Sequence, residues 1–212
     1  MVGGSTAILN EQYVDIFSKI KRNSKLPVII FPSGPWSIVR GADAIWFMSL
    51  LNSNDPYYVI GAQTLGIGTI RRLKIEAIPM GYIIMGEEST ASYMGNAKVI
   101  PYDRPEIACA FAMAAETFGM RFIYLEAGSG ASKPISPIII SNVRKVVSVP
   151  IIVGGGINSG NLANQLIGAG ADAIVTGNLF EKTHNTQEMI IELVEGCNQG
   201  INNRLRKAHN VI

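Results

Sequence analysis

The chain has 212 residues, of which 48% are apolar and 16% are charged. A charged fraction below the usual value of about 25% excludes a disordered chain, so we predict one domain with a sizeable core over residues 1–212. The 18 basic and 16 acidic residues give a net charge of +2 and are scattered along the chain. Because they form no basic stripe, we predict no nucleic-acid partner.

Targeting and membrane signals are not recognisable in this sequence. No apolar run reaches the roughly 18 residues that span a bilayer, and no basic region precedes an apolar signal core. Cys109 and Cys197 lie in apolar helical patterns, which indicates reduced, buried thiols rather than a disulfide or metal site. These features favour a cytoplasmic protein, and they are compatible with a peripheral contact with membrane lipid.

Seven short apolar runs end in glycine, serine or asparagine, and each predicts a β-strand. Residues 28–31 and 151–153 are apolar throughout. Such runs are typical of a parallel sheet that is covered by helices. The seven predicted strands are 1–5, 27–34, 44–52, 77–86, 122–130, 150–156 and 173–178.

Helical patterns occupy most of the segments between these runs. Asp103 is placed to cap a helix that Gly119 closes, and Ser159 to cap one that Gly168 and Gly170 stop. The last helix is predicted to start at Thr186. Its apolar face should pack on the sheet. This face is formed by Met189, Ile190, Leu193, Val194 and Cys197.

The alternation of strands and helices fits either an open doubly wound sheet or a (β/α)8 TIM-type barrel. The last two predicted strands end in glycine-rich segments, at the positions where such barrels commonly bind phosphate through backbone N–H groups. The barrel is therefore the predicted fold. A complete barrel has about 250 residues, so we predict that this chain lacks the first strand and helix, the alternative being a seven-stranded variant.

Tyr124 and Glu126 are the first candidate site residues. They stand two positions apart in a predicted strand, so both side chains face one side of the sheet and Leu125 faces the other. A carboxylate inside a barrel is costly unless it is paired or used, and barrel enzymes place catalytic groups at strand ends. We therefore interpret Tyr124 and Glu126 as catalytic, the alternative being an interior glutamate that neighbouring donors satisfy.

Short glycine-rich segments form the ends of the last three predicted strands. Residues 127–130 carry little side chain to pack, and their N–H groups suit an oxyanion such as phosphate. Residues 154–156 let the backbone approach a ligand at the start of a helix, although a tight turn explains a triple glycine equally well. A second glycine-containing segment ends the next predicted strand, at 177–178, and the two segments together favour a phosphate site. The predicted binding residues are Ala127, Gly128, Ser129, Gly130, Gly154, Gly155, Gly156, Gly177 and Asn178.

Two other polar segments lie at predicted strand ends. The Ser5 hydroxyl can supply one oxygen ligand to Mg²⁺ or cap a helix, and spacing alone favours capping. Glu87 and Glu88 either line the mouth of the barrel or are solvated loop charges.

Residues 44–86 are unusually rich in large apolar side chains. Core packing explains most of them, but alternate positions on a strand and its loop can also line an elongated apolar groove. Such a groove would suit a long, lipid-like substrate. The residues concerned are Trp46, Phe47, Met48, Tyr57, Tyr58, Met80, Tyr82, Ile83, Ile84 and Met85.

Several of these segments together resemble the geranylgeranylglyceryl phosphate and heptaprenylglyceryl phosphate synthases. The match covers nearly the whole chain, and residues 88–98 are similar to the larger, mostly archaeal branch that uses geranylgeranyl diphosphate. The matching segments are Gly3-Gly-Ser5, Phe31-Pro-Ser-Gly34, Ala42-Asp-Ala44, Ser49-Leu-Leu-Asn52, Gly61-Ala-Gln63, Tyr124-Leu-Glu-Ala-Gly-Ser-Gly130, Val153-Gly-Gly-Gly-Ile157 and Thr176-Gly-Asn178.

The resemblance implies transfer of a C20 prenyl group from geranylgeranyl diphosphate to the C3 hydroxyl of sn-glycerol 1-phosphate. It implies that Tyr124, Leu125 and the residues up to Gly130 hold the glycerol phosphate, and that Glu126 orients and helps to deprotonate its hydroxyls. Mg²⁺ is the implied cofactor, with Ser5 as a ligand. The low charge and the aromatic loops also favour a homo-oligomer.

One part of the family pattern has no equivalent in these residues. The first strand of the family carries a Leu-Ile-Asp-Pro-Asp-Lys type segment that binds Mg²⁺ and the glycerol phosphate. Without it, little transferase activity is expected. Two other hypotheses stay open, a barrel acting on a small phosphorylated metabolite and an inactive barrel that binds lipid.

Overall fold

The structure is a computed structural model that describes residues 1–3, 10–129, 131–177, 179–180 and 185–209. These residues form one parallel sheet of seven strands, which pair in chain order, so the seven predicted strands and their parallel arrangement are confirmed. The strands are β1 (Val2–Gly3), β2 (Ile29–Phe31), β3 (Ala44–Leu50), β4 (Glu76–Ile84), β5 (Phe122–Glu126), β6 (Ile151–Gly154) and β7 (Ala173–Val175).

Helices alternate with the strands along much of the chain. A π-helical turn, Tyr57–Gly61, leads into the second helix. Among the described residues, no helix is both long and apolar enough to cross a membrane. The helices are α1 (Asn10–Asn23), α2 (Ala62–Leu73), α3 (Thr90–Met94), α4 (Pro105–Thr117), α5 (Pro137–Val146), α6 (Gly160–Ala169) and α7 (Thr186–His209).

Ring contacts show that the sheet curls into a barrel wall. The ring centroids of Phe31 on β2 and Tyr124 on β5 lie 5.9 Å apart, and those of Trp46 on β3 and Phe122 on β5 lie 5.2 Å apart. In a flat sheet, three strand spacings would separate β2 from β5 by about 14 Å. The inward side chains of the strands thus form one core, while the outward ones pack under α1 and α2 and under α4 to α7.

A five-residue sequence, Gly-Ala-Asp-Ala-Ile, occurs at residues 41–45 and again at 170–174. The Asp43 carboxylate accepts the Val28 N–H at 2.8 Å and pairs with Lys21 at 2.7 Å. Asp172 accepts the Ile151 N–H at 2.9 Å and also forms an ion pair with Arg144 of α5, the helix before β6. The repeat therefore ties β3 and β7, four strands apart, to their preceding strands at the amino edge of the sheet.

Two predicted helix ends need correction. The N-cap position of α4 is Arg104 rather than Asp103, because Pro105 takes the first helical position and its ring fixes φ there. Ser159 caps α6 as predicted, but Gly168 lies inside that helix and does not end it.

Only part of the predicted apolar face of α7 is buried. Leu193 is buried, whereas Ile190 and Val194 are 45% and 54% exposed. The helix packs on α6 at Gly196, where a Cβ atom would overlap the Gly160 carbonyl oxygen. Glycine at this crossing lets the two helices approach closely, while Ile190 and Val194 lie on the exposed side of α7.

Candidate active site

The side chains of Tyr124 and Glu126 face the interior of the curl near the carboxyl ends of the strands. They are 1% and 6% exposed, and Leu125 between them points into the core under the helices. Ala127 packs in the same outer core, and its N–H donates to the Gly154 carbonyl oxygen at 3.0 Å. Contacts of Leu125 and Ala127 with a ligand would therefore be limited to backbone atoms.

The Glu126 carboxylate lies among hydrogen-bond donors. Its Oε1 accepts the Gly128 N–H at 2.5 Å, and the hydroxyls of Tyr124 and Tyr82 lie close enough to interact with the same carboxylate as donors. Burial raises the pKa of Glu126 because it disfavours the charged form, and the three donors oppose this rise because they stabilise the carboxylate. A buried carboxylate with a raised pKa at a barrel mouth is a candidate proton acceptor.

Tyr82 belongs to this cluster, although its sequence position indicated only a role in the groove or core. It lies on β4 directly opposite Tyr124 in register, with the ring centroids 5.1 Å apart. Burial, with the charge of Glu126 next, raises the pKa of both hydroxyls well above the ordinary value, so both stay protonated and able to donate. The register of β4 with β5, which positions Tyr82, could not be read from either strand alone.

The turns after β5 and β6 meet at this edge. A Cβ atom on Gly155 would lie 2.7 Å from the Gly128 backbone nitrogen and 2.8 Å from Glu126 Oε1. Both glycines have positive φ, +88° at Gly155 and +101° at Gly128, where other residues are strained. Glycine at these positions therefore lets the two turns enclose the carboxylate, and exposed Ser129 follows at the rim.

The turn after β7 is the second segment that was predicted to bind phosphate. Val175 pairs with Gly154, so Thr176 and Gly177 follow at the level of the β6 turn. The Thr176 hydroxyl oxygen is buried and has no hydrogen-bond partner within the described ranges, which leaves a donor for a ligand. Outside the described residues lie three predicted site residues, Ser5, Gly130 and Asn178.

The first turn of α6 offers fewer donors than its position suggests. The Gly160 N–H donates to Glu192 Oε1 at 2.7 Å, and the Leu162 N–H donates to Ser159 Oγ at 3.3 Å. These two N–H groups are therefore engaged within the protein. Gly154 ends β6 and pairs with Glu126 and Val175, so the candidate phosphate donors in this region are in the turn that follows it, Gly155 and Gly156.

An apolar groove of about 240 Å³ lies beside the site, between the sheet and α2. Phe31 and Tyr82 are part of its wall, so the groove reaches the Glu126 cluster. Six predicted groove residues line it: Trp46, Phe47, Met48, Tyr57, Tyr58 and Tyr82. The other four belong to the fully buried core: Met80, Ile83, Ile84 and Met85.

Glu87 and Glu88 are exposed in the loop after β4. Glu87 accepts a hydrogen bond from Ser132 Oγ at 3.0 Å, which links this loop to the one after β5. Burial, followed by the charges of Glu87 and Glu126, raises the pKa of Tyr102 to about 12. Across the parts of the chain that the structure describes, no group of three or more His, Cys, Asp or Glu side chains could hold a metal ion.

A curled parallel sheet of alternating strands and helices defines a TIM-type (β/α) barrel, and the buried carboxylate and glycine turns lie at its carboxyl edge, where such barrels carry their sites. The 3-hexulose-6-phosphate synthase of Salmonella typhimurium shares this fold, with a TM-score of 0.57 at 14% identity over 89% of this chain and 81% of that one. The chain itself belongs to the PcrB family, whose profile matches residues 1–197.

Named relatives are similar over most of the chain, which confirms the resemblance seen in the sequence. The geranylgeranylglyceryl phosphate synthase of Thermococcus gammatolerans is 48% identical over 95% of this chain and 79% of its own length. That of Thermofilum pendens is 42% identical over 98% and 81%. The crystal structure of (S)-3-O-geranylgeranylglyceryl phosphate synthase from Thermoplasma acidophilum in complex with sn-glycerol-1-phosphate has a TM-score of 0.90 at 41% identity, covering 93% of this chain and 80% of that one.

Proposed function

We propose that this chain transfers the geranylgeranyl group of geranylgeranyl diphosphate to the C3 hydroxyl of sn-glycerol 1-phosphate and releases diphosphate. The observation that carries the proposal is the position of Glu126, whose carboxylate lies between the glycine turns and the apolar groove. A polar site and an apolar site thus meet at one proton acceptor. The names of the relatives and the bound sn-glycerol-1-phosphate of the Thermoplasma structure support the same assignment.

The glycine turns suit the glycerol phosphate. Backbone N–H groups of Gly155, Gly156 and Gly177 would bind the phosphate, with the Asn178 amide as a further donor. The Thr176 hydroxyl, which is buried without a partner in the described structure, lies at the same edge. From there the glycerol carbons would extend towards Glu126 and place the C3 hydroxyl against its carboxylate.

The chemistry is a substitution at an allylic carbon. Glu126 accepts the proton of the C3 hydroxyl while the hydroxyl oxygen forms a bond to C1 of the prenyl group. The bond between C1 and the diphosphate oxygen breaks, and diphosphate leaves with the electron pair. General-base catalysis typically contributes about 10²- to 10⁴-fold, and holding both substrates in the groove and turns adds the advantage of proximity.

A requirement for Mg²⁺ stays a prediction. The departing diphosphate develops negative charge, which a hard cation neutralises well. The described residues contain no cluster that fits such an ion, and Ser5, the expected ligand, lies outside them. Product formation should stop on chelation with EDTA and return when Mg²⁺ is added in excess.

Product analysis by mass spectrometry tests the proposed function. The protein is incubated with sn-glycerol 1-phosphate and, in separate reactions, with C15, C20 and C35 prenyl diphosphates. We expect a prenyl glyceryl ether, formed fastest from the C20 substrate, and far less product from sn-glycerol 3-phosphate. Absence of ether product from all three diphosphates would refute the proposal.

Filling the groove should change the chain length that is accepted. Gly66 on α2 lines the groove, and a Cβ atom there would lie 2.7 Å from Ile38 Cδ1. The substitution Gly66→Leu is therefore expected to lower kcat/KM for the C20 substrate about 10- to 200-fold relative to C15, since each mismatched group in an apolar pocket costs about 1–3 kcal/mol.

The matched control is Gly68→Leu on the same helix. A Cβ atom on Gly68 has nothing within 4 Å, and Gly68 is exposed. Competition assays with mixed C15 and C20 diphosphates measure the ratio directly. An unchanged ratio in Gly66→Leu would show that the prenyl chain does not occupy this groove.

A further inference from the structure

Tyr82 occupies the boundary between the apolar groove and the Glu126 cluster. Its ring belongs to the groove wall, and it contacts the rings of Phe31 and Tyr124 at centroid distances of 5.9 and 5.1 Å. The side chain is buried, at 6% exposed, and β4 fixes it opposite Tyr124 in register. It is thus a rigid group that faces both proposed substrate sites.

The three donors to Glu126 come from different places. Gly128 belongs to the turn that follows Glu126, and Tyr124 lies on the same strand. Only Tyr82, among these three, reaches the carboxylate from the neighbouring strand and also lines the groove. Tyr82 is therefore the donor placed between the carboxylate and the groove.

We propose that Tyr82 is a positioning residue for the transfer reaction, which holds the Glu126 carboxylate ionised and directed towards the junction of the groove and the glycerol phosphate site. The inference rests on the proposed function. Burial alone would favour the neutral acid, and each donor to a buried carboxylate favours the charged form that accepts a proton. A phenylalanine at this position would fill the groove wall equally well but could not donate.

Other titratable groups around Glu126 do not replace this contribution. Tyr124 already donates to it, and Tyr102, near Glu87, interacts with it electrostatically. Burial and the charge of Glu126 keep Tyr82 protonated, so its hydroxyl remains a donor across the working pH range. Loss of that donor should therefore raise the pKa of Glu126 further.

The test is Tyr82→Phe, with Tyr13→Phe as the control. Tyr13 lies on α1, is fully buried, and is not among the hydroxyls that act on Glu126. A hydrogen bond to a charged group contributes more stabilisation than one between neutral groups, so its loss in Tyr82→Phe should lower kcat about 10- to 100-fold. KM for glycerol phosphate should change less than about threefold. The acid limb of the pH profile of kcat should move to higher pH, and Tyr13→Phe should keep the wild-type profile.

A titration without substrate gives a second readout. Protein labelled with ¹³C at the glutamate carboxyl carbons is titrated by NMR, and the Glu126 signal is assigned from its loss in Glu126→Gln. A higher midpoint for Glu126 in Tyr82→Phe supports the proposal. An unmoved midpoint overturns it, as does a loss of kcat that comes only with a lower melting temperature and an unchanged pH profile. If no variant or wild-type protein forms product, the proposed function fails while the NMR titration still decides the role of Tyr82.

Discussion

Replacing Glu126 with glutamine is expected to lower kcat about 10²- to 10⁴-fold, because the variant keeps the shape of the side chain but loses the proton acceptor. The glutamine oxygen can still accept the Gly128 N–H, so the turn after β5 should keep its conformation. KM values should therefore change little. Steady-state kinetics with both substrates measure the two parameters, and a kcat within threefold of wild type would exclude Glu126 as the base.

The same substitution should stabilise the fold at neutral pH. Burial raises the pKa of Glu126 in the folded state, so the folded protein binds the proton more tightly than the unfolded chain does. Stability therefore falls as pH rises from the ordinary glutamate pKa, about 4.3, through the raised value, and stays lower above it. Glutamine removes this loss.

Denaturation with urea at several pH values measures this effect. Glu126→Gln should exceed wild type in unfolding free energy at pH 8, and the difference should vanish near pH 4. Exposed Glu88 supplies the control, because Glu88→Gln removes the same charge from solvent and should change stability little at either pH. A destabilised Glu126→Gln at pH 8 would mean that the donors outweigh burial.

The strands could be predicted because a parallel sheet leaves a simple mark on the sequence. Strands covered on both faces are apolar throughout, as at 28–31 and 151–153, and each ends in a turn that needs small or polar residues. The alternation within β5 likewise predicted that Tyr124 and Glu126 share one face. All of these features depend only on neighbours along the chain.

Features that depend on contacts between distant segments could not be predicted in this way. Tyr82 joins the site because β4 and β5 pair in one particular register, and two strands can pair in several registers without changing their composition. The buried face of α7 depends on the close approach of Gly196 to Gly160, which apolar periodicity does not record. The N-cap of α4 is Arg104 because Pro105 takes the first helical position. It differs from the predicted cap by one residue, and helix boundaries are not predictable to that precision.

Substituting alanine for Gly154 should damage both the fold and the reaction. A Cβ atom on Gly154 would overlap the Tyr124 hydroxyl and lie 2.7 Å from Tyr124 Cζ. The tyrosine ring would have to move, which would weaken its hydrogen bond to Glu126. Overpacking of this kind costs about 1–3 kcal/mol, and a displacement of about 1 Å at a reacting group can cost about 100-fold in rate. Calorimetry and kcat/KM measure the two effects.

Gly68→Ala is the control for the added methyl group. Gly68 has open space around its Cα, so alanine there should be neutral or stabilise α2 by up to about 1 kcal/mol. The double variant Gly154→Ala with Tyr124→Phe removes the overlapping hydroxyl and should recover part of the lost stability without recovering activity. A coupling energy of about 0.5–3 kcal/mol between the two positions would identify their contact as the cause. If the two single effects simply add, glycine at 154 is required for the β6 turn itself and not to make room for Tyr124.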